Sequence, residues 1–344
     1  MTFKLFIPSI LHLLVDFFSI YLLNSFNYDL NTSIIFIAAY DILAFLTQPF
    51  LGALIEKNKH PETLMTISGL SLFLAIFIPN KIIVLILIGL SNSLFHVSAG
   101  KLVIEKANKT SPLGIFISFG SLGVYFGTAF SDIYFLTLMA SIFALLILIN
   151  QFMHYETISY SFSKDQGSYK TLLFPLVLIS IGVILRGFLG TYTNFTWTSS
   201  VSESALFITL AIFFGKFIGG FLIDWFGSTP LILVSTILSF ISMFFDNIYF
   251  SLIGIFAINL MMALTLDLVR KAMPRFTAFG FGILAASLLL GTILAIVFRN
   301  QLTYNNYINK ILAIINGLIL IWSLFILKRE RWKKYEFIRC CIFT

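Results

Sequence analysis

The chain has 344 residues, of which 59% are hydrophobic and 11% charged, and its mean hydropathy is +0.98. Soluble globular proteins carry about a quarter charged residues, so this composition excludes a soluble domain and fits an integral membrane protein. The formal net charge of +7 does not point to nucleic acid, because the basic residues are scattered over short segments between apolar runs.

Runs of about 20 apolar residues predict twelve spans. The first six are Lys4 to Leu23, Thr32 to Ile55, Pro61 to Ile78, Ile82 to Ile104, Gly114 to Phe130 and Tyr134 to Met153. The second six are Leu172 to Phe195, Ala205 to Ile223, Leu231 to Phe245, Ile248 to Val269, Ala278 to Phe298 and Ile308 to Leu327. The first run lacks a small-residue cleavage site and reads as a helix of the fold. With both termini cytoplasmic, seventeen of the 22 basic residues fall on the cytoplasmic side, three on the other side (Lys81, Arg299, Lys310) and two within spans (Arg186, Lys216). That asymmetry predicts a multi-pass protein of the cell membrane with both termini inside. Cys340 and Cys341 are adjacent near the C-terminus, which excludes a disulfide framework.

A polar loop over residues 154–170 separates two sets of six spans. The expected organisation is an N-terminal six-helix bundle (1–153), this linker, a C-terminal six-helix bundle (171–327) and a basic tail (328–344). Sliding one half over the other by 168 residues aligns Phe45 with Phe213, Gly52 with Gly220, Ile55 with Ile223 and Glu56 with Asp224. The paired Gly-x-x-x-acid at one membrane face is the informative match. It predicts an all-α fold of twelve transmembrane helices in two pseudo-symmetric bundles.

The run Gly215-Lys216-Phe217-Ile218-Gly219-Gly220-Phe221-Leu222-Ile223-Asp224-Trp225-Phe226-Gly227 resembles the loop signature of the major facilitator superfamily. Its first-half copy, Gly52-Ala53-Leu54-Ile55-Glu56-Lys57-Asn58-Lys59, has Glu for Asp and lacks the second glycine. The resemblance implies a gating role for Gly52, Glu56, Gly220 and Asp224. The segments His12-Leu13-Leu14-Val15-Asp16 and Gly89-Leu90-Ser91-Asn92-Ser93-Leu94-Phe95-His96 are similar to the fosmidomycin-resistance branch of that superfamily, which implies drug or solute efflux.

Three full charges, Asp16, Asp41 and Arg186, interrupt apolar spans. Each costs roughly 2.5 to 3.5 kcal/mol at the centre of a bilayer and therefore faces a partner or a watery cavity. Helical phase places Ser9, His12, Asp16 and Ser19 on one stripe of the first span, Asn92 and His96 one turn apart on the fourth, Gly182, Arg186 and Gly190 on the seventh, and Asn259, Ala263 and Asp267 on the tenth. The superfamily lines its cavity with those four spans. The expected proton-coupling residues are Asp16, Asp41 and Arg186, and the expected substrate contacts are His12, Asn92, His96, Arg186 and Asn259.

Plainer readings stand beside these: Asp16 and Arg186 as a structural ion pair, His12 and His96 as hydrogen-bonded core residues, Lys216 snorkelling to the cytoplasmic face, and Asp267 as an interfacial acid. The function expected is secondary transport of a small solute by alternating access, proton-coupled and with efflux favoured, in a monomer within the lipid bilayer. Arg186 favours an anionic or zwitterionic solute. The Phe, Ile, Asn and Lys bias suggests an AT-rich bacterial genome. A polytopic transferase using His12 or His96 with Asp16, and an uncoupled facilitator, are the alternatives. No catalytic, cofactor or metal motif is expected: the four His and two Cys show no ligand spacing, and no phosphate-cradling glycine loop is present.

Overall fold

A computed structural model of the chain describes residues 3–130, 132–153, 155, 169–301 and 306–343. The predicted linker lies outside the described residues except at Tyr155, Tyr169 and Lys170. In lipid every backbone polar group must be satisfied within the chain, and apolar segments of this length meet that requirement as helices. The helices are α1 (Ile7–Asn24), α2 (Leu30–Asp41), α3 (Gln48–Ile55), α4 (Pro61–Ala75), α5 (Lys81–Lys106), α6 (Ser111–Ala129), α7 (Ile133–Phe152), α8 (Tyr169–Tyr192), α9 (Ser204–Phe226), α10 (Ser228–Ser242), α11 (Ile248–Ala272), α12 (Thr277–Gln301) and α13 (Asn306–Phe343). Ten stretches among the described residues are long and apolar enough to cross a membrane. The 15-residue helices α4 and α10 stand where the third and ninth spans were predicted.

Local chemistry explains several boundaries. Asp29, Asn80, Asp132 and Asn247 each accept backbone N–H bonds at a helix start, so the second span begins at Leu30, ahead of the predicted Thr32. That span then departs from a simple helix. A π-turn over Ile42–Leu46 joins α2 to α3, because Pro49 has no N–H to give and crowds the preceding turn. Thr47 Oγ1 donates to the Leu43 carbonyl (2.5 Å) and Gln48 Nε2 to the Ala44 carbonyl (2.8 Å), satisfying groups the break would strand. At the other end of the chain, α13 continues to Phe343, so the predicted tail is a helical extension of the last span.

Burial sorts the helices into central and peripheral. The spans containing α1, α5 and α11 are 72%, 67% and 67% enclosed, and that of α8 is 56%, whereas α7 is only 17% enclosed. The four spans with polar stripes are thus inside the bundle, and the exposed apolar side chains of α7 and α10 fit a lipid-facing role.

The two halves meet at one face through α6 on α9 and α3 on α12. Glycines set these approaches. A Cβ at Gly52 would fall 2.5 Å from the Ala278 carbonyl oxygen, and one at Gly220 would fall 2.8 Å from that of Thr110. One at Gly114 would fall 2.7 Å from the Lys216 oxygen, and one at Gly282 2.5 Å from that of Gln48. Every partner in these pairs is offset by 168 residues from its counterpart, so the same backbone contact is built twice. Toward the opposite face, α2 packs mainly on α5 and on its own continuation. The two halves are thus held together at one face by close backbone contacts.

Candidate functional site

Asp16 stands about 18 Å along the first span from its Lys4 end, near mid-bilayer at 1.5 Å per residue. It is 9% exposed and forms the centre of a polar cluster between α1 and α5. Asn92 Nδ2 donates to Asp16 Oδ1 (2.9 Å) and also reaches Ser19 Oγ (3.4 Å). His12 Nε2 lies 3.3 Å from Asp16 Oδ2, and His96 Nε2 lies 3.7 Å from Asp16 Oδ1. The two Nε2 atoms are 2.8 Å apart. Each ring is anchored at its other nitrogen, His12 Nδ1 on the Phe116 carbonyl and His96 Nδ1 on the Asn92 carbonyl, both at 2.8 Å. Four residues predicted from sequence, His12, Asp16, Asn92 and His96, therefore form one site.

Two contributors escaped sequence reading. Gly120 on α6 leaves the space the cluster occupies, since a Cβ there would lie 2.4 Å from His12 Nε2 and 2.6 Å from Asp16 Oδ2. The glycines at 120, 123 and 127, which all face α1, were the available signal, a stripe of small residues on one helix. Tyr40 is buried, is directed at Ser19 and lies within electrostatic range of Asp16. As the immediate neighbour of Asp41 it was overshadowed by the charge.

The remaining predicted residues separate into three groups. Arg186, 6% exposed, has no ion pair or hydrogen bond among the described residues, and its Nη1 is buried without a partner. The structural Asp16–Arg186 ion pair is therefore not formed in this conformation. Gly190, one turn further along α8, is exposed and has nothing within 4 Å of where a Cβ would stand. Lys216 does not snorkel to the near face. It lies within electrostatic range of Arg186, Asp16 and His96, and is the counterpart of Gln48 in the repeat.

Asn259 donates to the Ile255 carbonyl of its own helix (2.8 Å) and packs at Gly215 of α9, apart from the cluster. Asp41, half-buried, makes no hydrogen bond or ion pair among the described residues.

The predicted gating residues lie together at the closed face. Glu56 accepts the backbone N–H groups of Ala278 (3.4 Å) and Phe279 (3.0 Å), at the start of α12. Asp224 accepts those of Thr110 (2.7 Å) and Ser111 (2.8 Å), at the start of α6. Each carboxylate thus meets the positive end of a helix from the opposite half. Asp267 lies within two turns of the end of α11, is 1% exposed and is paired with Arg270 and Lys271 of the last turn. Arg270 also donates to the Ala107 carbonyl at the end of α5.

A group of three ionisable ligand types, His12, Asp16 and His96, lies within 4.8 Å of one another, a clustering that sequence spacing across two helices did not reveal.

No protein-family model and no curated protein matches the chain. Solved structures do. The chain is similar to the Escherichia coli fucose:proton symporter FucP, at a TM-score of 0.67 and 15% identity, covering 94% of this chain and 97% of that one. It is similar at a TM-score of 0.65 and 14% identity to a structure described as the major facilitator superfamily transporter FucP in the outward conformation, covering 92% and 98%. The chain shares its fold with these two transporters. At this identity the likeness carries the architecture alone, and the Asp16 cluster is a property of this chain's own residues.

Proposed function

We propose that this chain is a secondary transporter of the cell membrane that moves a small solute by alternating access, coupled to protons. The observation that carries the reading is a buried carboxylate at mid-depth, Asp16, bridged to two histidines inside a fold whose halves are clasped at one face. Counting α4 and α10 as the third and ninth spans gives twelve helices in two bundles, with both termini on the cytoplasmic side by the distribution of basic residues. The clasped face is then the cytoplasmic one, which corresponds to an outward-facing state, the state named for one of the similar FucP structures.

In this reading Asp16 with His12 and His96 forms the proton site on one half. Arg186 and Lys216 offer unpaired positive charge on the other half, which suits a solute carrying an anionic group. Asn92 positions the carboxylate, Asp41 and Asn259 lie along the path, and Gly52, Glu56, Gly220 and Asp224 hold the closed gate. Similarity of the His12 and His96 segments to the fosmidomycin-resistance branch favours efflux, and the chain acts as a monomer in a bacterial membrane. A transferase is disfavoured because its acid and base belong near a membrane face, whereas His12 and Asp16 lie near mid-depth.

The test is a metabolite and toxin screen comparing cells that express the wild type with cells that express Asp16→Asn. One solute should accumulate or be depleted with wild type only, and its flux in vesicles should follow an imposed pH gradient. Flux with unaltered proton dependence in the variant would remove Asp16 from coupling, and flux with none in either protein would make the chain an uncoupled facilitator.

A further inference from the structure

The histidine pair has a proton count that its hydrogen bonds decide. A backbone carbonyl only accepts, so the Phe116 and Asn92 oxygens each require a hydrogen on the Nδ1 they face. A neutral ring protonated at Nδ1 keeps a lone pair on Nε2. His12 Nε2 and His96 Nε2 are 2.8 Å apart, with the ring planes at 90°. Two lone pairs at that separation repel, whereas an N–H···N hydrogen bond fits it. Asn92 cannot supply the missing hydrogen, because its Nδ2 is directed at Asp16 Oδ1 and Ser19 Oγ.

We propose that His12 and His96 share one proton between their Nε2 atoms, and that this pair, with Asp16 ionised as its counter-charge, is the chain's proton-carrying group. Loading adds one proton from water to an Nε2 lone pair, and release returns it, with no other bond made or broken. The loaded site is neutral: one positive charge over two rings faces one carboxylate 3.3 Å from His12 Nε2. Release leaves two opposed lone pairs and removes one of the bonds joining α1 to α5 at this level, leaving the Asn92–Asp16 bond. It also leaves Asp16 with Lys216 of α9 as a cation in electrostatic range, which links the proton to the opposite half. The other groups facing the pair are Tyr40 of the second span and, through Lys216, Arg186 of α8. From α6 come only the Phe116 carbonyl and the space at Gly120.

A divalent metal ion is the competing occupant of this triad. Ligand bonds of about 2.0 to 2.1 Å place two nitrogens about 3.4 Å apart at a tetrahedral ion. The observed 2.8 Å would close the angle below about 90°, and the nearby Lys216 opposes a dication. The geometry favours a proton.

This inference rests on the transport reading for its role, and its test does not depend on transport. The chain has four histidines, so the full-length His60→Gln, His154→Gln protein, labelled with 15N-histidine and held in lipid nanodiscs, retains signals from His12 and His96 alone. Both rings should show protonated Nδ1, both Nε2 signals should lie between the neutral and imidazolium positions, and the pair should lose one proton in a shared step. Either His12→Gln or His96→Gln should leave the remaining ring neutral at a pH where the pair was charged. Two independent titrations, each unchanged by loss of the other ring, would overturn the proposal. So would stoichiometric Zn2+ uptake that Asp16→Asn abolishes. In vesicles, His12→Gln should lower pH-driven accumulation at least tenfold while solute exchange persists. A wild type without any flux would sink the transport reading and leave the nitrogen spectra to judge the pair.

Discussion

Glu56 and Asp224, 168 positions apart, make the same contact from opposite halves: each accepts two backbone N–H groups at the first turn of a helix in the other half. The four receiving residues keep the same offset, Thr110 and Ser111 against Ala278 and Phe279. A repeat visible in sequence as a glycine and an acid is thus a pair of interlocking helix caps, in which the carboxyl group of one half takes the free N–H groups at a helix start of the other.

Asp224→Asn should weaken that closure. Its two bonds, 2.7 and 2.8 Å long, are charge-assisted, and losing the charge should cost about 1 to 2 kcal/mol, a shift of roughly 5- to 30-fold toward the state open at this face. Spin labels at Lys57→Cys and Arg275→Cys, in a Cys340→Ser, Cys341→Ser background, would report it as a longer distance population. An unchanged distribution would show that the cap does not hold the gate.

Glu56 should respond differently, and to pH. Burial pushes its carboxyl above the ordinary 4.5, outweighing the Phe279 N–H, Lys101 and Ala278 N–H that favour the charge. A raised value means that the closed face binds the proton more readily than an exposed carboxylate does. Closure is therefore strengthened below 4.5 and weakens as pH rises through the raised value. The same spin labels should show the closed population falling over that range, and Glu56→Gln should remove the dependence while keeping the face closed. A closed population that rises with pH would contradict the assignment.

Two alanine substitutions on α6 should separate site from scaffold. At Gly120 a Cβ meets the ends of His12 and Asp16, which can move, so Gly120→Ala should insert and fold while losing at least tenfold in proton-linked flux. At Gly123 it meets the Leu13 carbonyl oxygen at 2.2 Å, which cannot move without shifting α1. Gly123→Ala should lower thermal stability by about 1 to 3 kcal/mol. Melting curves of both proteins beside a flux assay decide this, and equal melting losses would refute the distinction.

The global plan was legible because it rests on run length, charge asymmetry and repetition, which need no knowledge of contacts. Helical phase also placed His12, Asp16, Asn92 and His96 on inward stripes. It could not show that the rings of His12 and His96 meet at their Nε2 atoms, because that depends on the rotation of α1 against α5 and on a glycine of a third helix. Lys216 was misread for a related reason. Its neighbours in sequence suggest a path to the near face, while the charges within electrostatic range of it, Asp16 and Arg186, lie on other helices. The π-turn after Asp41 follows from Pro49 and was readable in principle, yet hydropathy averages over it.

Arg186 and Lys216 supply the last prediction. Both lie within electrostatic range of one another without an ion-pair partner among the described residues, and Arg186 Nη1 is buried without a hydrogen-bond partner. A planar guanidinium binds a carboxylate or phosphate through two parallel bonds, a geometry an ammonium cannot copy. Once a solute is known, Arg186→Lys should therefore raise its KM about tenfold or more with a smaller change in maximal rate. Lys216→Gln should weaken an anionic solute more than a neutral analogue. Competition assays with the anion and its methyl ester would measure both effects. Equal inhibition by acid and ester in the wild type would show that the two cations serve the protein's own charge balance and not the cargo.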